Sequence, residues 1–195
     1  MGSTVCLVRH GETDWNLRGR LQGQEDIELN ETGIYQATRC GLYLARESWD
    51  VILTSPLSRA RKTAEIIEQL VKTATVLQVD DLRERNYGEA SGLTHQEIAL
   101  RFPNGQIPGR EDRSVLTHRS MGVLNHILQH YSGKKIIVVS HGAVINAILA
   151  VLSNGEIGSG KTTLKNACLS RLSHRQGTWH IAGYNSTEHL DSLPK

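Results

Sequence analysis

The sequence predicts a doubly wound α/β domain with a mostly parallel central sheet. Three observations lead there. Short apolar runs rich in Val, Ile and Leu alternate with longer stretches of helical spacing. Neither an internal repeat nor a linker interrupts the alternation, so the 195 residues read as one domain, 1–195, with room for a lid. Four of the apolar runs end in, or lead directly to, Arg, His, Ser or Glu, at the strand ends where open α/β sheets hold their ligands.

The elements follow in order. Val5, Leu7 and Val8 make a buried strand that stops at Arg9-His10-Gly11-Glu12. Gly11 is expected to turn the chain sharply and bring backbone close to a bound group. A polar loop over 12–30 precedes a helix over 32–46, with Ile34, Ala37, Leu42 and Leu44 for its buried face and Asn30 or Thr32 to cap it. Residues 51–53 form the second strand, which ends in Thr54-Ser55-Pro56, and a helix over 58–71 carries Arg59, Arg61 and Lys62 in its first turns. The third strand, 75–79, runs into Asp80-Asp81-Leu82-Arg83-Glu84-Arg85 and a glycine-bearing loop to Gly92. A short helix over 94–102, a Pro/Gly-rich break over 102–109 and a longer helix over 114–130 come next. Residues 86–113 break the strand–helix alternation and are therefore the lid candidate. The most strand-like run, 135–139, ends in Ser140-His141-Gly142, ahead of a buried helix over 143–152. Strands over 167–172 and 179–184 form a hairpin around Gln176-Gly177, and the polar residues 185–195 are expected to fray.

Composition removes several classes of function. A net charge of +2 is too small to argue for a nucleic acid or membrane-surface partner. No run of 18 apolar residues exists, and a strand so near the first residue leaves no room for a signal peptide. Met-Gly-Ser-Thr-Val-Cys misses an N-myristoylation site because Cys6 stands where Ser or Thr is wanted. Cys6, Cys40 and Cys168 are widely spaced among apolar neighbours, which reads as buried free thiols in a reducing compartment, the cytoplasm, where the sequons at Asn30 and Asn185 carry no meaning. His126 and His130 are four apart, but Ile127 stands where a zinc helix would carry Glu, so a solvated face is expected there. Oligomeric state stays open.

Parallel strands bring Arg9 and His10, Arg59, Glu84 and His141 to one sheet edge. Two arginines, two histidines and a carboxylate make a set for a phosphoester: donors for phosphoryl oxygens, a nucleophile and a proton source. The set requires no metal and no cofactor.

The chain resembles the histidine phosphatase superfamily, the phosphoglycerate mutase-like group. The resemblance rests on R-H-G-E-T-x-W-N at Arg9 to Asn16, L-Q-G at Leu21 to Gly23 and T-S-P-L-x-R-A-x-x-T-A at Thr54 to Ala64. It continues in L-R-E-R-x-Y-G at Leu82 to Gly88 and V-S-H-G at Val139 to Gly142. It implies a three-layer sandwich and a metal-independent phosphomonoesterase acting on a small phosphate ester. It also implies roles: His10 attacks phosphorus, Arg9, Arg59 and His141 hold the phosphoryl oxygens with Asn16 alongside, and Glu84 protonates the leaving group and then activates water. Gln22 and Gly23 could add an amide to the phosphate site. Gly109-Arg110-Glu111-Asp112 departs from the Gly-Glu-Ser of many such phosphatases, which opens the question of substrate. Arg110 and Arg113 either meet a second anionic group there or are solvated.

Three rivals remain. A cofactor-dependent phosphoglycerate mutase would share every catalytic residue, but the short stretch between Glu84 and His141 and the short tail favour water access and hydrolysis. A non-catalytic phospho-ligand-binding module is disfavoured because His10, Glu84 and His141 are all present. Residues 155–162, G-E-I-G-S-G-K-T, match a P-loop, but a helix-like run precedes them where a strand is required; Lys161 is expected near the pocket mouth.

Overall fold

The computed structural model describes residues 2–72 and 75–191. Its strands are β1 (Thr4–Arg9), β2 (Val51–Thr54), β3 (Thr75–Gln78), β4 (Lys135–Ser140), β5 (Leu169–Arg175) and β6 (Thr178–Ser186). They form one sheet in the order β3-β2-β4-β1-β5-β6. The first four run parallel; β5 lies antiparallel to β1, and β6 antiparallel to β5. The helices are α1 (Asp14–Leu17), α2 (Glu31–Leu44), α3 (Ser58–Val71), α4 (His95–Arg101), α5 (Arg113–His130), α6 (Gly142–Leu152) and α7 (Glu188–Asp191).

Alternation along the strands sorts two cores. Val5 and Leu7 of β1, with Ile136 and Val138 of β4, face Leu124, Ile127, Ile145 and Ile148 of α5 and α6. Cys6 and Val8, with Ile137 and Val139, face Cys40, Leu44, Ala60 and Ile67 of α2 and α3. A strand covered on both faces is apolar at nearly every position, which is why β1 and β4 read as unbroken runs. The result is the doubly wound three-layer sandwich. Because α2 follows β1 on one face and α6 follows the adjacent β4 on the other, the chain diverges between these strands. Their carboxyl ends border a cleft there.

Several boundaries and burials differ from expectation. Ile34 and Leu42 are 44% and 49% exposed; α2 buries Gly33, Ala37, Cys40, Gly41 and Leu44 instead. The buried stripe follows the three- and four-residue spacing through these small side chains, and a Cβ at Gly41 would crowd Leu70 and the Ile67 backbone, so glycine eases the approach of α2 to α3. Asn30 caps α2, its side chain accepting from the Gly33 amide at 2.8 Å. Part of the polar loop is helical, since Thr13 and Asn16 form a capping box around α1. Residues 185–191 are not frayed: β6 continues to Ser186, and α7 buries His189, whose carbonyl accepts from Arg39 Nε at 3.3 Å. Residues 192–195 lie outside the described residues. The hairpin turn sits at Gln176-Gly177, both with positive φ (51° and 80°), the geometry that matches the twist of its strands. All three cysteines are free and buried. No helix among the described residues is long and apolar enough to cross a membrane.

Candidate active site

Arg9 is the last residue of β1, His10 the next, and His141 caps the start of α6 directly after β4. The His10 amide donates to the Ser140 carbonyl at 2.9 Å, tying the two strand ends together. The two imidazoles lie 5.1 Å apart, centroid to centroid. His10 is 2% exposed, and its Nδ1 faces the Gly11 carbonyl at 2.7 Å. A carbonyl oxygen only accepts, so Nδ1 carries the hydrogen and Nε2 presents a lone pair. Burial, then the charges of Arg59 and Arg9, hold the His10 pKa well below 6.5, and the ring is neutral. Burial and the Arg59 charge do the same for His141, whose Nε2 meets Ser55 Oγ at 2.8 Å.

Arg59 stands in the first turn of α3, where the helix dipole disfavours a cation. It is fully buried, with Nη1 donating to Glu25 O and Nη2 to Gly23 O, each at 2.7 Å. Burial pushes its pKa down to about 10, with Glu84 and Asp26 opposing, and it remains a cation. Burial also lowers Arg9, with Glu84 opposing; its Nη1 donates to Leu164 O. Among the described residues, three buried side-chain nitrogens at this end have no partner, Arg9 Nε, Arg59 Nε and His141 Nδ1, and the two arginine nitrogens are donors. Unsatisfied buried donors are rare and unfavourable, so the arrangement suits a ligand that brings several acceptors.

Glu84 joins them across the pocket. Its Oε1 accepts from the Arg85 amide at 2.8 Å and from the Ala143 amide, in the first turn of α6, at 3.2 Å. The pocket holds about 470 Å³, and Arg9, His10, Asn16, Gln22, Gly23, Arg59 and Glu84 all line it. Asn16 Oδ1 accepts from Asn166 Nδ2 at 3.1 Å and from the Thr13 amide at 3.2 Å, so its Nδ2 is what remains for a ligand. The Gly23 carbonyl serves Arg59, and Gln22 is buried with Oε1 unpartnered.

Sequence reasoning assigned Gly11 a different task. Its φ is not positive, and its backbone packs against Gly33 of α2, where a Cβ on either residue would strike the other's neighbourhood. The glycine serves a close approach of chain to chain beside His10 rather than of chain to ligand. Residues 155–162 are turns after a helix, not a strand–loop–helix. Their amides turn inward, Gly158 N to Thr162 Oγ1 at 2.9 Å and Thr162 N to Gly158 O at 2.8 Å. Ser159, Gly160 and Thr162 form one pocket wall, whereas Lys161 is exposed and does not line it. Arg113 lines the pocket; Arg110 is turned away, donating to Gly105 O at 2.8 Å. Among the described residues, no group of three or more His, Cys, Asp and Glu is placed to hold a metal ion.

Some contributors escaped the sequence reading. Ser55 stood in a quoted motif at a strand end, which was a usable signal for its contact with His141. Asn166, which donates to the carbonyls of His10 and Gly11 at 3.2 Å, carried none.

A doubly wound sheet with a neutral imidazole set among buried arginines at its switch point defines a phosphoryl-transfer enzyme. The family model described as histidine phosphatase superfamily (branch 1) matches residues 5–187. A Bacillus subtilis protein named uncharacterized phosphatase PhoE is 45% identical over 99% of this chain and 100% of its own length. The metal-independent phosphoserine phosphatase of Arabidopsis thaliana is 36% identical over 97% and 84% of the two chains. The solved phosphoserine phosphatase of Entamoeba histolytica, in complex with 3-phosphoglyceric acid, superposes with a TM-score of 0.84 at 30% identity, over 96% of this chain and 99% of that one. Proteins named probable phosphoglycerate mutase are also similar, at 31–33% identity. The chain belongs to the histidine phosphatase superfamily. Within it, the greater similarity to phosphatases than to mutases makes it a phosphatase.

Proposed function

We propose that this phosphatase hydrolyses small phosphomonoesters through a phosphohistidine on His10. The observation that carries the reading is the pair of unpartnered buried arginine donors, Arg9 Nε and Arg59 Nε, with His141 Nδ1 also unpartnered, beside an imidazole whose tautomer leaves Nε2 free. In the first step Nε2 attacks phosphorus, the P–O bond to the leaving group breaks, and Glu84 gives that oxygen a proton. The arginines and His141 neutralise charge on the phosphoryl oxygens, the part of phosphoryl transfer that most needs supplying. In the second step Glu84 takes a proton from water, the hydroxyl adds to phosphorus, the N–P bond breaks, and phosphate leaves. Asn16 and Gln22 border the phosphate, and residues 86–113 serve as the lid of a single domain.

The relatives that handle phosphoserine and 3-phosphoglyceric acid suggest phosphorylated small acids as the first substrates to try. A cytoplasmic setting belongs to the same reading, since three buried free thiols suit a reducing compartment.

The test is phosphate release from a panel of monoesters containing phosphoserine and 3-phosphoglycerate. It is run with EDTA, with and without 2,3-bisphosphoglycerate, and with 2-phosphoglycerate assayed in parallel. Phosphate release unaffected by EDTA is expected. Isomerisation with little release would instead mean a mutase, and loss of activity restored by added metal would overturn the metal-free route.

A further inference from the structure

We propose that Arg119, on α5, is a positioning residue that holds Glu84 in line with His10 and acts as one unit with Glu111. The inference rests on the reading of Glu84 as acid and base. Arg119 does not line the pocket, so whatever it does for the reaction passes through another residue.

A guanidinium has five N–H donors in one plane, and at Arg119 all five are engaged. Nε donates to Glu111 Oε1 at 2.7 Å and Nη2 to Glu111 Oε2 at 3.0 Å, a bidentate pair. Nη1 donates to the carbonyls of Asp81 and Arg83, each at 2.6 Å. The second Nη2 donor reaches the carbonyl of Glu84 itself at 3.2 Å. Both side chains are largely shielded, 15% and 12% exposed. Glu111 then fastens the far side of the same turn: Oε2 accepts from the Asn86 amide at 3.1 Å, and its carbonyl accepts from Arg85 Nε and Nη2 at 2.9 and 2.7 Å. Three carbonyls over four residues, ending on Glu84, thus converge on one side chain. The Glu84 carboxylate is bonded only to its own neighbour's amide and to Ala143 N. Its place in the pocket is set by the Ala143 amide and by its own backbone, and Arg119 holds that backbone.

Other ties on the turn survive the loss of Arg119. Ser140 Oγ donates to Leu82 O at 2.8 Å, Gln24 Nε2 donates to Glu84 O at 3.1 Å, and Leu82 is fully buried. The fold is expected to persist while the carboxylate drifts. Lysine at this position would keep the charge but has three donors around a tetrahedral nitrogen, which cannot meet five coplanar acceptors.

The experiment compares kcat/KM for 4-nitrophenyl phosphate, whose leaving group needs little protonation, with that for the best alkyl phosphate of the panel, whose leaving group does. Loss of a general acid removes about 100-fold or more, so Glu84→Gln should lose that much on the alkyl ester and far less on the aryl ester. Arg119→Ala is expected to show the same bias, with a loss of about 10-fold or more on the alkyl ester, the scale expected when a reacting group is misplaced. Arg119→Lys should behave alike. In the Glu84→Gln background Arg119→Ala should add less than about 3-fold, since residues acting as a unit are not additive. Glu111→Gln, which keeps the shape of the side chain, should show a weaker version of the bias, and it carries the test if Arg119→Ala does not fold. Equal losses on both esters for Arg119→Ala, or for Glu111→Gln in its place, would overturn the proposal. So would a full additional loss in the double variant. Absence of bias in Glu84→Gln would overturn the reading of Glu84 and the proposal with it, and which variant lacks the bias tells the two failures apart.

Discussion

The deep end of the pocket and its mouth are built from different material. Arg9 and His10 stand on or directly after a central strand and Arg59 on the first turn of a helix; His141, after the neighbouring strand, lies against the His10 ring without lining the pocket, and His10, Arg59 and His141 are at most 2% exposed. At the mouth, His95 and Arg113 are exposed and belong to the segment after Glu84, while Ser159, Gly160 and Thr162 come from an irregular loop. Strand ends cannot move without moving the sheet, whereas loops vary at little expense to the core. On the proposed reading, the chemistry belongs to the deep end and substrate choice to the mouth.

The contrast can be broken at its strongest point. His10→Ala should lower phosphate release by on the order of 10⁴-fold or more on every ester, because on the proposed reading one nucleophile serves all of them. Steady-state assay of the panel checks this, and a loss confined to some esters would put chemistry at the mouth as well.

Acid should act on the deep end through stability. The folded pKa values of His10 and His141 lie below the ordinary 6.5, so both bind a proton more readily when unfolded. Their contribution is complete above pH 6.5 and is lost as pH falls from there toward the folded values, by about 1.4 kcal/mol per pH unit for each ring. Urea unfolding between pH 7.5 and 5.5 reads this slope. His10→Gln should make it shallower by one ring's share, and an unchanged slope would mean that His10 does not take part.

The smallest effect belongs to the mouth. Arg113→Ala should raise KM about 3- to 10-fold for esters with a second anionic group, a range suited to one partly screened charge. KM for 4-nitrophenyl phosphate should move by less than about 2-fold. A uniform rise would attach Arg113 to the phosphate rather than to the remainder of the substrate.

The same division governs what could be read before folding. Arg9, His10, Arg59, Glu84 and His141 were legible because each follows a strand that announces itself by its apolar residues, and parallel strands end on one edge. Asn166 and Arg119 were not legible, since they work on backbone carbonyls far away in sequence, and a donor side chain does not itself say which carbonyls it will reach. Ile34 and Leu42 misled because a helix packed through glycine and alanine buries its small residues and leaves large ones outside. The P-loop match did not mislead, because the pattern names residues while the function needs a strand before them, and the run before residue 155 reads as the helix it is.

Position 33 shows how far the reach of the sheet edge extends. Gly33 lies in the first turn of α2, distant in sequence from every reacting group, yet its backbone is pressed against residues 11 and 12. A side chain there would strike the backbone of Glu12, two residues past His10. A screen of substitutions is expected to find loss of activity at Gly33 and tolerance one residue away at Ile34, which is 44% exposed.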